Sequence, residues 1–312
     1  VSVEKISEAL KEVLKQSGVS SYAPAVAIPS QLSLIFTLDL PSQIKTDNIS
    51  EIITTEARKY IPLPIEEVSI DYFIFPKKEM TFEEMHSEQT TDTNTQTDVG
   101  EKTSVLVVAT QKEAVSKYRT IMSQSNLSAS FFEIEIFSAI RSNFEHELSP
   151  VLLVDFGASR TKLAIVEFGM LKAFHSIDRG GADITASIAQ SMNINFATAE
   201  KMKKDFGLSQ VSEDKTLVDI INSHVDYIFN EANSVVLNYE KKHDRIISKV
   251  IFTGGGALLK GLAESAHNNF RAEVIIGQPF DKVGAPSFLS KVLESVGGEF
   301  AVALGLALRK IQ

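Results

Sequence analysis

The strongest constraint on the fold is an apolar run that ends in a carboxylate and is followed at once by a second apolar run. Residues 151–154 are Val-Leu-Leu-Val, Asp155 ends the run, and residues 161–167 return after a short turn. Runs joined in this way are typical of antiparallel strands within a sheet. A further run, 170–176, follows the next turn. We therefore expect two or three consecutive antiparallel strands in this part of the chain.

The turn between the first two of these strands contains groups that can bind a phosphate. Gly157 allows backbone N–H groups to approach an anion closely, and the hydroxyls of Ser159 and Thr161 add donors. Asp155 can hold Mg²⁺ through water, because this ion prefers oxygen ligands and keeps its waters. On these residues alone, a plain hairpin with Asp and Gly in its turn is the alternative interpretation.

Two glycine-rich segments precede predicted helices. Thr-Gly-Gly-Gly-Ala at 253–257 lies between a predicted strand and a helix, and Gly180 with Gly181 opens another helix. A bare glycine backbone lets a ligand come close, and a helix N-terminus favours an anion. These patterns predict ligand contacts at Gly180, Gly181, Gly254, Gly255 and Gly256. An ordinary flexible turn is the alternative for residues 253–257.

A third group of polar residues lies on one face of a predicted helix. Glu200 is followed by Lys203 and Lys204, one helical turn further along. Taken alone, this spacing favours a solvated helix surface with paired charges.

Composition excludes several classes of function. The chain has 312 residues, no cysteine and a net charge of −9. Without cysteine there is no disulfide, zinc ribbon, iron–sulfur cluster or thiol catalysis. An acidic chain is not a generic nucleic-acid binder, because such proteins neutralise phosphates with basic surface. The apolar run near the end of the chain, 300–308, is far shorter than the ~20 residues that span a bilayer. We therefore expect neither a nucleic-acid partner nor a direct membrane span.

The first half of the chain alternates strand and helix patterns around one polar segment. Residues 30–125 predict a small α+β unit of strands and two helices. Within it, residues 77–104 are rich in Thr, Glu, Asp, Gln, Asn and Ser and predict a mobile loop, because such a composition cannot bury a core.

The order of these motifs resembles the actin-like ATPase superfamily. The segment from Asp155 to Thr161 is similar to its second phosphate motif, and residues 253–257 are similar to its adenosine loop. The closing helix, 300–309, is similar to its connecting helix. A closer resemblance lies at 56–68, Glu-Ala-Arg-Lys-Tyr-Ile-Pro-Leu-Pro-Ile-Glu-Glu-Val, which is similar to a signature of the type IV pilus assembly protein PilM family.

The resemblance implies an α/β, actin-like (ribonuclease H-like) two-lobed ATPase fold. It implies part of the first lobe at 1–29, an inserted α+β domain at 30–125, a return to the first lobe at 126–150, and the second lobe at 151–312. The first phosphate motif of the superfamily is not found before Val3, so the leading strands of the first lobe are expected to be missing.

The resemblance also implies ligands and partners. ATP would bind with Mg²⁺, its phosphates at Asp155, Gly157, Ser159, Thr161, Gly180 and Gly181. The adenosine contacts would be Glu200, Lys203, Lys204, Gly254, Gly255 and Gly256. Hydrolysis would be slow or absent, with ATP acting as a conformational ligand. The protein would be a cytoplasmic scaffold at the inner membrane that binds the cytoplasmic tail of a PilN-like partner and contacts other pilus motor or platform proteins.

Two other functions are compatible with the same fold. A cell-division protein of the FtsA type is one, although that family usually ends in an amphipathic helix and this sequence stops at Gln312. A sugar kinase is the other, and it would need a carboxylate placed as general base beside a sugar hydroxyl.

Overall fold

The computed structural model describes residues 2–41, 49–75, 102–145, 147–208 and 215–311. The chain divides into two compact units. The larger unit comprises Val1–Gln31 and Val115–Gln312, and the smaller unit is Leu32–Ala114. The smaller unit is shorter than the predicted segment 30–125, because Ile121 and Met122 pack with Val26 in a core cluster of the larger unit.

In its described residues, the smaller unit is a three-stranded antiparallel sheet with one α-helix, α2. Its elements are β2 (Ser33–Pro41), α2 (Ile49–Ala57), β3 (Val68–Ile74) and β4 (Lys102–Gln111), in the sheet order β2-β4-β3. Leu38, Leu40, Val105 and Val107 of the sheet pack with Ile53 of α2. The strand patterns predicted from the sequence are therefore present, and their alternating apolar residues give the sheet one buried face.

The predicted mobile loop needs a correction at one end. Strand β4 begins at Lys102, so residues 102–104 are strand rather than loop. These three residues pair with Pro41, Leu40 and Asp39 of β2. The β2–β4 ladder therefore continues past the run of apolar residues in β4. The rest of the predicted loop, 77–101, lies outside the described residues.

In the described residues, the first part of the larger unit is a short parallel sheet with three helices. Helix α1 (Val3–Ser17) begins at the cap Ser2 and ends at Gly18, whose φ is +65°. Strand β1 (Ala25–Ile28) pairs in parallel with β5 (Phe131–Ile134), and α3 (Lys112–Gln124) and α4 (Glu135–Asn143) lie on either side of β5 in the chain.

The second part of the larger unit is a five-stranded mixed sheet. Its strands are β6 (Val151–Phe156), β7 (Thr161–Glu167), β8 (Met170–Ile177), β9 (Lys249–Thr253) and β10 (Glu273–Ile276). The order is β10-β9-β6-β7-β8, with the first three parallel to one another and the hairpins β6–β7 and β7–β8 antiparallel. All six residues of β6 are buried, which explains its nearly continuous apolar sequence. The predicted antiparallel strands are thus present.

Five α-helices are found in the described residues of this part of the chain. They are α5 (Gly181–Met192), α6 (Phe196–Phe206), α7 (Lys215–His243), α8 (Leu262–Asn269) and α9 (Ser290–Ile311). Helix α7 buries Leu217, Ile221, Val225 and Phe229 against the sheet, in one cluster with Leu152 and Val154 of β6. The predicted closing helix, 300–309, is only the second half of α9.

Helices α4 and α9 connect the two sheets of the larger unit, because each contacts both β1 and β9. They approach so closely that a Cβ atom on Gly305 would lie 1.9 Å from the carbonyl oxygen of Ser138. Beside this crossing, the buried carboxylate of Glu133 pairs with Arg141 and Arg309 at 2.7 Å each. Arg141 also donates to the carbonyl oxygen of Gly305, at 2.9 Å. Both the close packing at Gly305 and the ion pairs of Glu133 therefore stabilise the contact between α4 and α9.

Replacing Gly305 by alanine should destabilise the protein, although alanine is the better helix former by about 1 kcal/mol. The added methyl would overlap the backbone of α4, and overpacking of this kind costs about 1–3 kcal/mol. We expect Gly305→Ala to lower the thermal unfolding midpoint by several degrees. Gly284→Ala is the control, since nothing lies within 4 Å of a Cβ there. Equal midpoints for the two variants would contradict the close crossing.

Candidate functional site

A cavity of about 750 Å³ lies in the larger unit, where the carboxyl ends of β6 and β9 meet. The register of these parallel strands sets Asp155 beside Thr253, so the turn after β6 and the glycine loop after β9 emerge together. Helices α5, α6 and α9 supply the other walls. Nine of the predicted site residues line the cavity: Asp155, Gly157, Gly181, Glu200, Lys203, Lys204, Gly254, Gly255 and Gly256.

Three predicted residues do not line the cavity. Thr161 is fully buried, and its hydroxyl donates to the carbonyl oxygen of Arg179 at 2.9 Å. Ser159 is exposed in the turn. Gly180 is buried against that turn, where a Cβ would lie 2.4 Å from the carbonyl oxygen of Ala158. These residues shape the turn rather than face the space beside it.

The first N–H groups of α5 are bonded within the protein. Gly181 N–H donates to the carbonyl oxygen of Gly157 at 3.0 Å, and Ala182 N–H donates to that of Ala158 at 2.7 Å. Gly180 N–H donates to the Asp183 carboxylate at 2.8 Å. These bonds join the turn after β6 to the start of α5, so these N–H groups are not directed at the cavity in this structure.

Lys203 and Lys204 differ sharply although they are neighbours in α6. The Lys203 ammonium contacts the Gly181 carbonyl and the Thr185 hydroxyl, both at 2.9 Å, and the Glu200 carboxylate at 2.7 Å. These contacts use its three donors. Lys204 is 67% exposed and lies 3.5 Å from the other oxygen of Glu200. The hydrogen bonds of Lys203 therefore join α6 to α5. Lys204, which is exposed, is the lysine whose side chain can move towards a ligand.

Glu200 is held in its charged form by these neighbours. Partial burial would raise the pKa of Glu200, but hydrogen bonds from Lys203 and Thr185 and the charges of both lysines lower it below its ordinary value. The carboxylate is therefore an acceptor at neutral pH.

We expect Lys203→Ala to lower the free energy of unfolding by about 2–3 kcal/mol, because it removes the buried ammonium that donates to both the partly buried Glu200 carboxylate and the Gly181 carbonyl. Lys204→Ala, on the same helix, should change it by less than about 0.5 kcal/mol, as is usual for exposed pairs. Urea unfolding followed by circular dichroism measures both variants. Similar losses for the two would show that the buried contacts of Lys203 do not stabilise the fold.

Sequence reasoning missed a charged group at the centre of the cavity wall. Lys162 lies opposite Asp155 in the β6–β7 ladder, and its ammonium is 2.9 Å from Asp155 Oδ2 and 3.1 Å from Glu135 Oε2. Burial opposes the charge, yet the two carboxylates raise the pKa of Lys162 above its ordinary value. Strand alternation could have indicated Lys162, because Asp155 and a residue facing it across a hairpin share one face of the sheet. Glu135 had no local signal.

The cavity also has an apolar wall that the sequence motifs did not indicate. Phe196 is 51% exposed at the first turn of α6, and Ile184 and Leu258 line the cavity with it. An exposed aromatic ring beside polar groups can pack on a flat heterocycle. The arrangement can therefore hold a ligand with an apolar ring and a polar or anionic tail.

The fold and the cavity define a protein class. The order β10-β9-β6-β7-β8, with its consecutive antiparallel hairpins and parallel flank, is the ribonuclease H-like arrangement of actin-like proteins. The chain superposes on a solved "PilM-PilN type IV pilus biogenesis complex" with a TM-score of 0.81 and 23% identity, covering 99% of this chain and 85% of that one. The predicted actin-like fold is thereby confirmed.

The match to a family model extends over nearly the whole sequence. The model of the family "Type IV pilus assembly protein PilM" matches residues 1–311. The chain belongs to this family, and the resemblance proposed from residues 56–68 is confirmed.

Cell-division proteins FtsA are more distant relatives. The chain is 30% identical over 178 residues to FtsA of Staphylococcus epidermidis (50% of this chain, 38% of that protein). It is 25% identical over 186 residues to FtsA of Escherichia coli (49% of this chain, 44% of that protein). The matched regions thus span less than half the length of these curated relatives.

Proposed function

We propose that the protein acts in type IV pilus assembly by binding the cytoplasmic tail of a membrane-anchored, PilN-like partner. The observation that carries the proposal is the family match over residues 1–311, together with a fold like that of PilM in its complex with PilN. Among the described residues, no helix is both long enough and apolar enough to cross a bilayer. We propose a cytoplasmic protein that reaches the inner membrane, and other motor or platform proteins there, through this partner.

The FtsA-like function is the weaker candidate. The similarity to FtsA covers about half of this chain, whereas the pilus family covers residues 1–311. No side-chain arrangement described above favours a sugar kinase. We therefore retain pilus assembly as the proposed function.

We propose further that ATP binds in the cavity of the larger unit. The volume suits a small ligand, since such pockets are roughly 300–1,000 Å³. Phe196 and Leu258 offer an apolar surface for the base, beside Lys204 and the glycine loop that the resemblance assigns to the adenosine, and the turn at Gly157 offers a close backbone for the phosphates. A ligand that contacts both the β6 turn and α9 would favour the arrangement of these elements to which it binds better.

Nucleotide binding can be tested at Gly255. A Cβ there would make only ordinary contacts, the nearest being Glu299 at 3.6 Å, so small side chains fit. We expect Gly255→Asp to weaken binding of a fluorescent ATP analogue at least ~10-fold, because its side chain occupies space beside the adenosine and adds a second carboxylate next to Glu299, in the cavity of an anionic ligand.

Gly255→Ala is the matched control and should change the affinity by less than ~3-fold. Thermal unfolding of both variants checks that the fold is kept. Equal affinities of Gly255→Asp and the unchanged protein would place the nucleotide elsewhere.

Partner binding can be tested by calorimetric titration with a synthetic peptide. The peptide is the cytoplasmic N-terminal tail of the PilN-like protein from the same genome, and a scrambled peptide is the control. We expect the native peptide to bind saturably and the scrambled peptide not to bind. Tyr60 of the smaller unit is 58% exposed and packs on Phe36 with ring centroids 5.3 Å apart, which makes it a suitable aromatic anchor.

We therefore expect Tyr60→Ala to weaken the peptide at least ~5-fold. Tyr22→Ala, which removes a 71% exposed tyrosine from the larger unit, should leave the affinity unchanged. No binding by the folded, unchanged protein would contradict the partner proposal. If Tyr22→Ala weakened peptide binding and Tyr60→Ala did not, the docking surface would lie on the larger unit instead.

A further inference from the structure

The actin-like fold implies a magnesium ion with the nucleotide, and the sequence placed it beside Asp155. Mg²⁺ requires oxygen ligands at 2.0–2.1 Å in a nearly octahedral shell that includes several waters. The carboxylates that could face such a shell are Asp155 at the end of β6 and Glu135 at the start of α4, both of which line the cavity.

These carboxylates already share a cation that belongs to the chain. The Lys162 ammonium lies 2.9 Å from Asp155 Oδ2 and 3.1 Å from Glu135 Oε2. The other oxygen of Glu135 accepts the backbone N–H of Ser30 at 2.8 Å. Asp155 Oδ1 lies against the backbone of Gly254, where a Cβ would be only 2.6 Å away. Three of the four carboxylate oxygens thus have a hydrogen-bond donor that a metal would have to displace, and the fourth, Asp155 Oδ1, packs against the backbone of Gly254.

The pairing of β6 with β7 places Lys162 beside Asp155, so the position of the ammonium does not depend on the side-chain conformation alone. Asp155 and Lys162 are directly paired residues of the β6–β7 ladder, on one face of the sheet. The side chain of Lys162 is only 14% exposed. A cross-strand pair in a buried ladder has little freedom to separate. Within the described ranges, no group of three or more His, Asp or Glu residues is arranged to hold a metal ion.

We propose that the Lys162 ammonium, fixed between Asp155 and Glu135, takes the place of a divalent cation at this cavity, so that the chain binds nucleotide phosphates without requiring Mg²⁺. The lysine adds a positive charge beside the two carboxylates, and it presents this charge at the cavity wall. This proposal rests on nucleotide binding at the cavity, but its claim about the carboxylates can be tested without nucleotide.

The residues also fit a binding role better than rapid turnover. Phosphoryl transfer is accelerated mainly by positioning and by cations that neutralise charge developing on the phosphate oxygens. An ammonium committed to two carboxylates is a weaker clamp than a divalent ion. The inference therefore agrees with a nucleotide that acts as a conformational ligand.

The first experiment compares the unchanged protein in excess EDTA and in millimolar MgCl₂, with a fluorescent ATP analogue as the probe. We expect the two dissociation constants to agree within ~3-fold. Weakening by ~10-fold or more in EDTA would overturn the proposal. This comparison does not depend on whether any variant folds. Absence of nucleotide binding in both buffers would contradict the proposed function instead.

The second experiment titrates Mn²⁺ alone, followed by its electron paramagnetic resonance signal. Lys162→Met keeps the length of the side chain but removes the charge, and we expect it to bind one more Mn²⁺ than the unchanged protein. Lys162→Arg, which keeps a cation, should behave like the unchanged protein. The double variant Lys162→Met with Glu135→Gln should lose the added site.

An unchanged protein that binds Mn²⁺ as tightly as Lys162→Met would overturn the proposal, because the lysine would not then be occupying the position of the ion. The same conclusion would follow if Lys162→Met, shown to be folded by circular dichroism, gained no Mn²⁺. Both outcomes can be distinguished from a failure of nucleotide binding, since no nucleotide is present.

Discussion

The pairing register of β6 with its two neighbours is the constraint on which the rest of the site depends. Asp155 is paired with Thr253 on one side and with Lys162 on the other. The first pairing brings the glycine loop to the carboxylate, and the second brings the ammonium. Because successive residues of a strand face opposite sides, a slip by one position would turn Asp155 away from the cavity. The complete burial of β6 makes such a slip costly.

A second constraint holds the two sheets of the larger unit at a fixed separation. Burial alone would raise the pKa of Glu133, but hydrogen bonds from Arg141 and Ser138, with the charges of Arg141 and Arg309, lower it. The carboxylate thus stays charged at neutral pH and joins β5, α4 and α9. Since α4 carries Glu135 and α9 carries Glu299, this junction also positions two acidic residues of the cavity wall. The packing of Gly305 on α4 and the geometry of the cavity are therefore not independent.

The sequence was informative where local chemistry decides the structure. Apolar runs and turn residues predicted the β6–β7–β8 strands, and the glycines at 254–256 predicted a backbone that a ligand can approach closely. Gly254 has a φ of +83° and lies against the carboxylate, which only glycine tolerates there. Thr161 was assigned to the phosphate site by its position in a motif, yet it adjoins Lys162 on a strand. Neighbouring strand residues face opposite ways, so both could not reach the cavity. Glu135, Phe196 and Glu299 join the site through tertiary packing, which no local pattern encodes.

The division of the chain into two units has a consequence for its synthesis. Strand β1 has its partner in β5, which leaves the ribosome about 100 residues later, or several seconds at ordinary elongation rates. Every strand of the smaller unit, by contrast, lies between Ser33 and Gln111 and pairs within that interval. The smaller unit can therefore complete its β2-β4-β3 sheet before β5, the described partner of β1, has been synthesised. A nascent chain paused at that stage would hold this sheet complete while the pairing of β1 with β5 is still to come.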